Sequence, residues 1–168
     1  MEYIVREAKR DDAQQIIEFY NKVGGESDFL SFGSDEFQRD HIEYGDYLEN
    51  TRNEENSLIL LALDGDDIIS IATINSSQKV RTKHVGTLGI VVSKEHHGKG
   101  IGKKLMNDLI KWASGNGITK KITLVTREDN ELAIALYKQL GFEIEGVLKR
   151  DTYIHGVYYN TLVMGLFL

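Results

Sequence analysis

The sequence predicts a mixed α/β domain, and three observations carry that expectation. Short runs of strand-like alternation recur along the chain, from "YIVREA" near the start to "KITLVT" in the second half. Between them lie stretches whose apolar residues fall three and four positions apart, the spacing of a helix face. Strands alternate with helices in the second half, which implies some parallel pairing, and two tight-turn signatures imply antiparallel hairpins. A chain of 168 residues can bury a sizeable core, and one unit spanning 1–168 is expected.

In order, "YIVREA" is the first strand. "DDAQQIIEFYNKV" reads as a helix in which Asp11 can cap and Ala13, Ile16, Ile17, Tyr20 and Val23 share a face. "GGESDFLSFGS" reads as a loop, and a second helix is expected from about Asp35 to Leu48. "SLILLAL" and "DIISIATI" flank Asp64-Gly65-Asp66, a hairpin signature. "HVGTLGIVVS" is the next strand and leads into "KEHHGKGIGKKL", where Ile101, Leu105, Leu109 and Trp112 keep helical spacing until "SGNG". "KITLVT" is a strand. "NELAIALYKQLG" is a helix capped by Asn130 and ended by Gly141, with Ala133, Leu136, Tyr137 and Leu140 on one stripe. "FEIEGVLKRDTYI", the turn His155-Gly156 and "VYYNTLVMGLFL" close the chain as a hairpin. The predicted order is βααβββαβαββ.

Composition narrows the function. A net charge of -6 opposes general attraction to nucleic acid. No apolar run approaches the length of a membrane span, and "MEYIVREAKRDD" lacks the pattern of a signal peptide, so no membrane partner and a cytoplasmic location are expected. The chain has no cysteine, which removes disulfides, thiol nucleophiles and thiolate metal sites. Adjacent His96 and His97 lack a clear third ligand, so no metal is expected. Charge is uneven: eight acids and one base, Arg39, lie between Glu26 and Glu49, while four lysines face Glu95 between Lys94 and Lys104. One surface can thus favour cations and another an anion.

The glycine-rich stretch is the motif with most chemistry. A strand, a loop with Gly98, Gly100 and Gly102, and a helix start together aim free N–H groups at one place. The helix dipole adds roughly half a positive charge there. Three phosphate-binding schemes compete with a plain glycine turn. A Walker loop needs a hydroxyl after its lysine, but Lys104 follows Lys103. The dinucleotide fingerprint needs GxGxxG, and the sequence has GxGxG. The acetyltransferase pattern Gln/Arg-x-x-Gly-x-Gly/Ala matches from His97 to Gly102 except at its first position.

With "LGIVVS", "HHGKGIGKKL" and "NELAIALYKQLGFEIEG" in this order, the chain resembles the GCN5-related N-acetyltransferase (GNAT) superfamily over nearly its whole length. The tail "YIHGVYYNTLVMGL" resembles the closing hairpin of bacterial members that acetylate small amines or protein amino groups. The resemblance implies a mostly antiparallel, twisted central sheet flanked by helices, and acetyl-coenzyme A as acetyl donor. It further implies that backbone groups of Ile90 and Val92 bind the pantetheine arm like an added strand, with Val91 between them also at the cofactor. The loop from His97 through Gly98, Lys99, Gly100, Ile101, Gly102 and Lys103 would cradle the diphosphate. Asn130 and Ala133 would approach the pantetheine, and Tyr137 the sulfur.

An alkylamine, with a pKa near 10.4, costs about 4–5 kcal/mol to deprotonate at pH 7, so desolvation, a base or a water chain is needed. The oxyanion needs fixed N–H donors, and an irregularity at Gly89 would aim the Ile90 amide at it. Tyr137 is placed by the resemblance to protonate the leaving thiolate. Glu26 is the candidate base, with Asp28, His84 and His155 behind it. The acidic segment and the aromatics Phe29, Phe32, Phe37, Tyr44 and Tyr47 suit a cationic acceptor: a polyamine, an amino sugar or a protein N-terminus. A non-catalytic acyl-coenzyme A binding module and a nucleotide-dependent phosphotransferase are the alternatives. A homodimer through the last strand or a helical face is open.

Overall fold

The computed structural model describes residues 1–26 and 33–168. Its elements follow the predicted order: β1 (Ile4–Glu7), α1 (Ala13–Glu26), α2 (His41–Arg52), β2 (Leu58–Asp64), β3 (Asp67–Ser76), β4 (Val85–Val92), α3 (Ile101–Gly115), β5 (Lys121–Arg127), α4 (Glu131–Gln139), β6 (Glu143–Ile154) and β7 (Val157–Phe167). Short 3-10 turns at Arg10–Asp12 and Lys94–His96 precede α1 and follow β4. Among the described residues, no helix is long and apolar enough to cross a membrane.

The strands form one seven-stranded sheet in the order β1-β2-β3-β4-β5-β7-β6. Neighbours joined by short turns pair antiparallel, while β4 and β5, joined through α3, pair parallel as a crossover requires. That parallel pairing is brief. It covers Val85↔Lys121, Gly86↔Ile122 and Thr87↔Thr123 and then stops. Beyond Thr87, β4 stays paired with β3 as far as Val92, and β5 stays paired with β7 as far as Arg127. The two halves of the sheet therefore part at their C-terminal ends and leave a wedge between β4 and β5.

Each face of the sheet has its own core. On one face α3 buries Ile101, Leu105, Met106 and Leu109 against Ala72, Ile74, Leu88, Ile122, Leu124 and Met164, with Tyr137 and Phe142 in the same cluster. On the other, Ile16, Phe19 and Val23 of α1 and Leu48 of α2 cover Ile59, Leu61 and Ile71. Burial of one such aliphatic side chain contributes about 1.5–3 kcal/mol. Four of them anchor α3, so the start of that helix is a rigid platform.

Three local expectations are corrected. Asp11 does not cap α1; Asp12 serves its start, accepting from the Lys9 N–H at 2.8 Å and from the Arg6 guanidinium at 2.7 and 2.8 Å. Gly24 and Gly25 do not end α1, which continues to Glu26 because Val23 and Gly24 pack inward and Glu26 finds a partner beyond the helix. The second helix starts at His41 rather than near Asp35. Asp35 adopts φ 56°, while Asp40 accepts from the Glu43 N–H at 3.0 Å and so sets the helix start.

Candidate active site at the β4–β5 wedge

Along an antiparallel ladder the amides alternate between the partner strand and the opposite side. Ser93 donates its N–H to the Ile69 carbonyl at 3.0 Å, which sets the alternation for β4. Val91 and Gly89 therefore turn their backbone groups to β3, and the Val91 carbonyl also accepts from Ser70 Oγ at 2.9 Å. Ile90 and Val92 face the wedge. Val91, between them, turns its backbone groups away from the wedge. Gly89 is no bulge, since the β3–β4 register runs unbroken from Gly86 to Val92. The irregularity expected there is supplied by the early end of the β4–β5 pairing.

The chain then makes its 3-10 turn and reaches the glycines. Gly98 and Gly100 adopt φ 73° and 78°, which only glycine takes without strain, and a Cβ at either would meet nothing within 4 Å. Gly102 closes the junction: a Cβ there would lie 3.4 Å from Val92 Cγ2, so α3 begins hard against β4. The first bond that starts α3 runs from the Lys104 N–H to the Gly100 carbonyl at 3.0 Å. The amides of residues 98 to 103 have no acceptor among the described residues. Six consecutive donors, open space before them and the positive end of a 15-residue helix make an anion cradle. The residues present fit a diphosphate.

Side chains around the cradle divide into occupied and available. Lys104 bonds Asp108 at 2.7 and 2.9 Å, an i,i+4 pair that engages its ammonium. Lys99 and Lys103 form no ion pair among the described residues. His97 donates from Nε2 to the Val92 carbonyl at 2.8 Å, so its ring pins the end of β4 to the loop. His96 Nδ1 lies 2.6 Å from Ser93 Oγ, one residue before the turn.

Across the wedge, Asn130 stands at the start of α4, but its side chain makes no capping bond, contrary to the sequence expectation. Ala133 and Tyr137 lie in the cluster that also holds Ile90. Tyr137 is 9% exposed and packs on Phe142 with ring centroids 6.1 Å apart. Burial pushes its phenol pKa up, so the group stays protonated through the neutral range. Its hydroxyl has no hydrogen bond among the described residues, and no buried polar side-chain atom among them lacks a partner, so that oxygen reaches solvent.

Glu26 ends α1 with its side chain 20% exposed; Oε2 accepts from the Lys94 N–H at 2.9 Å, and Lys22 Nζ is 3.9 Å from Oε1. Asp28, Phe29 and Phe32 lie outside the described residues. His84 is at the far end of β4, where its carbonyl accepts from Lys120 and Lys121, and His155 sits in the β6–β7 turn. His84 thus lies at the end of β4 away from the wedge, whereas the β6–β7 turn projects from the end of β7 that pairs with Arg127, the end of the sheet where the wedge opens. Phe37, Tyr44 and Tyr47 do gather, joined by Tyr20, and Tyr47 donates to Asn75 Oδ1 at 2.8 Å. Asn75 and Gly89 share a sheet face with Ile71, so this aromatic group lies on the α1–α2 face of the sheet, over β3 opposite Thr87.

Sequence reasoning missed Arg127. It is 8% exposed at the end of β5, bonds Asp129 at 2.7 and 3.0 Å and lies 3.7 Å over the Tyr159 ring. An arginine two residues before an aspartate, at the end of a strand, was the available signal.

Comparison with known proteins bears on this geometry. The model of the acetyltransferase (GNAT) family matches residues 26–142. The L-amino acid N-acetyltransferase AaaT of Escherichia coli K12 is 32% identical over 106 residues, 63% of this chain and 65% of that protein, so the match spans less than two thirds of the relative. The spermidine N(1)-acetyltransferase of the same organism is 24% identical over 97% of this chain and 84% of its own. A crystal structure of an acetyltransferase of the GNAT family from Streptococcus pneumoniae superposes with a TM-score of 0.96 at 33% identity, covering 99% of this chain and 100% of that one. A structure of yncA from Salmonella typhimurium with its cofactor acetyl-CoA shares the fold at a TM-score of 0.84 and 20% identity, over 100% and 95% of the two chains.

Proposed function

The chain belongs to the acetyltransferase (GNAT) family, and we propose that it transfers an acetyl group from acetyl-coenzyme A directly to a primary amine of a small molecule or protein. The observation that carries this reading is the set of six amides, residues 98–103, that have no acceptor among the described residues and lie beside the edge of β4 beyond its pairing with β5. A carrier with a diphosphate at one end and an amide-bearing arm at the other suits both features. The diphosphate rests on the backbone of the loop, and Lys99 and Lys103 add attraction. The arm lies along Ile90 and the Val92 N–H as a short added strand, with Asn130, whose side chain makes no capping bond, on the other lip. Ala133 keeps α4 narrow at that point.

The thioester supplies the acetyl group, and the chain's own residues set the rest. The Ile90 N–H faces the wedge and can donate to the oxygen that gains charge during attack. Tyr137 holds its proton because burial raises its pKa, and that proton is available to the departing thiolate. The amine must lose its proton before attack, and the apolar walls formed by Ile90, Ala133 and Tyr137 favour the neutral form by excluding water.

The relatives named above act on amino acids and on spermidine, both of them amines, which supports an amine acceptor. The aromatic group of Tyr20, Phe37, Tyr44 and Tyr47, with the acids between Glu26 and Glu49, supports a cationic one. The test is steady-state thiol release from acetyl-coenzyme A with polyamines, amino sugars and peptide N-termini. Turnover with at least one class is expected; preference for an acidic or apolar amine overturns the cationic assignment, and no turnover with any amine overturns the transferase reading.

A further inference from the structure

Glu26 has the chemistry of a base, yet its surroundings are those of a brace. Its Oε2 accepts from the N–H of Lys94, 68 residues away, and Lys94 opens the 3-10 turn that delivers the chain from β4 to the glycines. The first N–H groups of such a turn have no partner within it. The preceding residue, Ser93, makes no capping bond, because its Oγ is engaged with His96 Nδ1 at 2.6 Å. Glu26 supplies the cap that the local sequence withholds. Lys22, one helical turn earlier, places Nζ 2.7 Å from Glu95 Oε1 and 3.9 Å from Glu26 Oε1, so α1 grips the turn at two neighbouring residues. On the other side His97 fastens the loop to Val92.

We infer that Glu26 is a positioning residue: through the Lys94 amide it fixes the turn before Gly98 and so holds the amides of residues 98–103 at the angle a diphosphate requires. This rests on the transferase reading. It also changes what Glu26 does, from moving a proton on the acceptor to setting affinity for the donor. A brace needs only an acceptor oxygen, which glutamine retains; a base needs a carboxylate, which glutamine lacks.

That difference is the test. Glu26→Ala and Glu26→Gln are compared with wild type for KM of acetyl-coenzyme A, kcat and the pH profile of kcat/KM. Glu26→Ala raises KM about tenfold, the factor that corresponds to one lost charge-assisted hydrogen bond, with kcat within about twofold. Glu26→Gln brings KM back to within about threefold of wild type, and neither variant loses the acidic limb of the profile. A base would behave otherwise: kcat would fall by about a hundredfold in both variants and the acidic limb would vanish, which overturns the inference. Equal KM in all three proteins overturns it as well. If the alanine variant does not fold, Glu26→Met, which keeps the chain length but offers the Lys94 amide no oxygen, supplies the KM reading, and the glutamine variant still excludes the base through kcat and the pH profile. Wild-type protein that binds no coenzyme A overturns the transferase reading itself, an outcome distinct from either of these.

Discussion

Replacing Gly100 by alanine separates the anion cradle from the stability of the fold. Gly100 precedes α3 at φ 78°, and an added Cβ meets nothing within 4 Å, so the unliganded protein suffers backbone strain without a clash. That strain is about 1–2 kcal/mol for an L-residue in the left-handed region, offset by about 0.4–1 kcal/mol from the stiffer unfolded chain. A net loss near 1 kcal/mol lowers Tm by about 2–4 °C in a domain of this size. Binding should suffer more, because the methyl group enters the open space before the free amides. Loss of two charge-assisted bonds there raises the Kd for coenzyme A by about a hundredfold or more. Gly117 is the control: it has φ 77°, its Cβ also meets nothing within 4 Å, and it follows the opposite end of α3. Thermal unfolding followed by circular dichroism should give similar shifts for both variants. Calorimetric titration should give wild-type affinity for Gly117→Ala and the large loss for Gly100→Ala. If the two variants bind coenzyme A equally well, the cradle argument is wrong.

Tyr137→Phe should lower kcat by about a hundredfold while leaving coenzyme A affinity unchanged, and stability should move by less than about 0.5 kcal/mol because the hydroxyl has no hydrogen bond among the described residues; unchanged turnover in a steady-state assay would favour a binding module instead. Asp12→Ala should cost about 2–3 kcal/mol in urea unfolding, since it strips bonds from Arg6 and from the Lys9 amide. Burial raises the Asp12 pKa, but the Arg6 and Lys9 bonds outweigh it and leave the pKa lowered. Its contribution is therefore present above the ordinary aspartate range and lost as pH falls through the lower folded value, so Asp12→Ala should flatten the acid limb of stability. Burial raises the phenols of Tyr20, Tyr44 and Tyr137. Their contribution is complete below the ordinary phenol pKa near 10 and is lost progressively as pH rises above it toward the higher folded values, so urea midpoints should fall steadily above about pH 10; a flat profile there would contradict this.

The order of elements was legible because two periods, two residues for strands and three to four for helices, do not mimic each other in this chain. Helix ends were less so. Gly24-Gly25 looks like a stop, yet α1 crosses it because Val23 is buried behind it and Glu26 is bonded ahead of it, and that second partner is 68 residues away. The wedge was not legible at all. It exists because β7 inserts beside β5 and holds it to Arg127 while β3 holds β4 to Val92, a competition among long-range pairings. The glycine loop was legible because its glycines, its helix start and its free amides are all local. Which backbone groups of β4 face the wedge depends on ladder parity, which needs the register with β3. Lys104 could have been set aside from sequence, since Asp108 stands four residues on.

Everything proposed for the donor site turns on whether the amides of residues 98–103 receive a diphosphate. Amide 15N–1H shifts recorded during titration with coenzyme A, and separately with pantetheine, address this directly. The account predicts that coenzyme A moves the signals of residues 98–103 most, while pantetheine, which carries no diphosphate, moves Ile90 and Val92 and leaves the loop in place. Loop signals unmoved by saturating coenzyme A would contradict it.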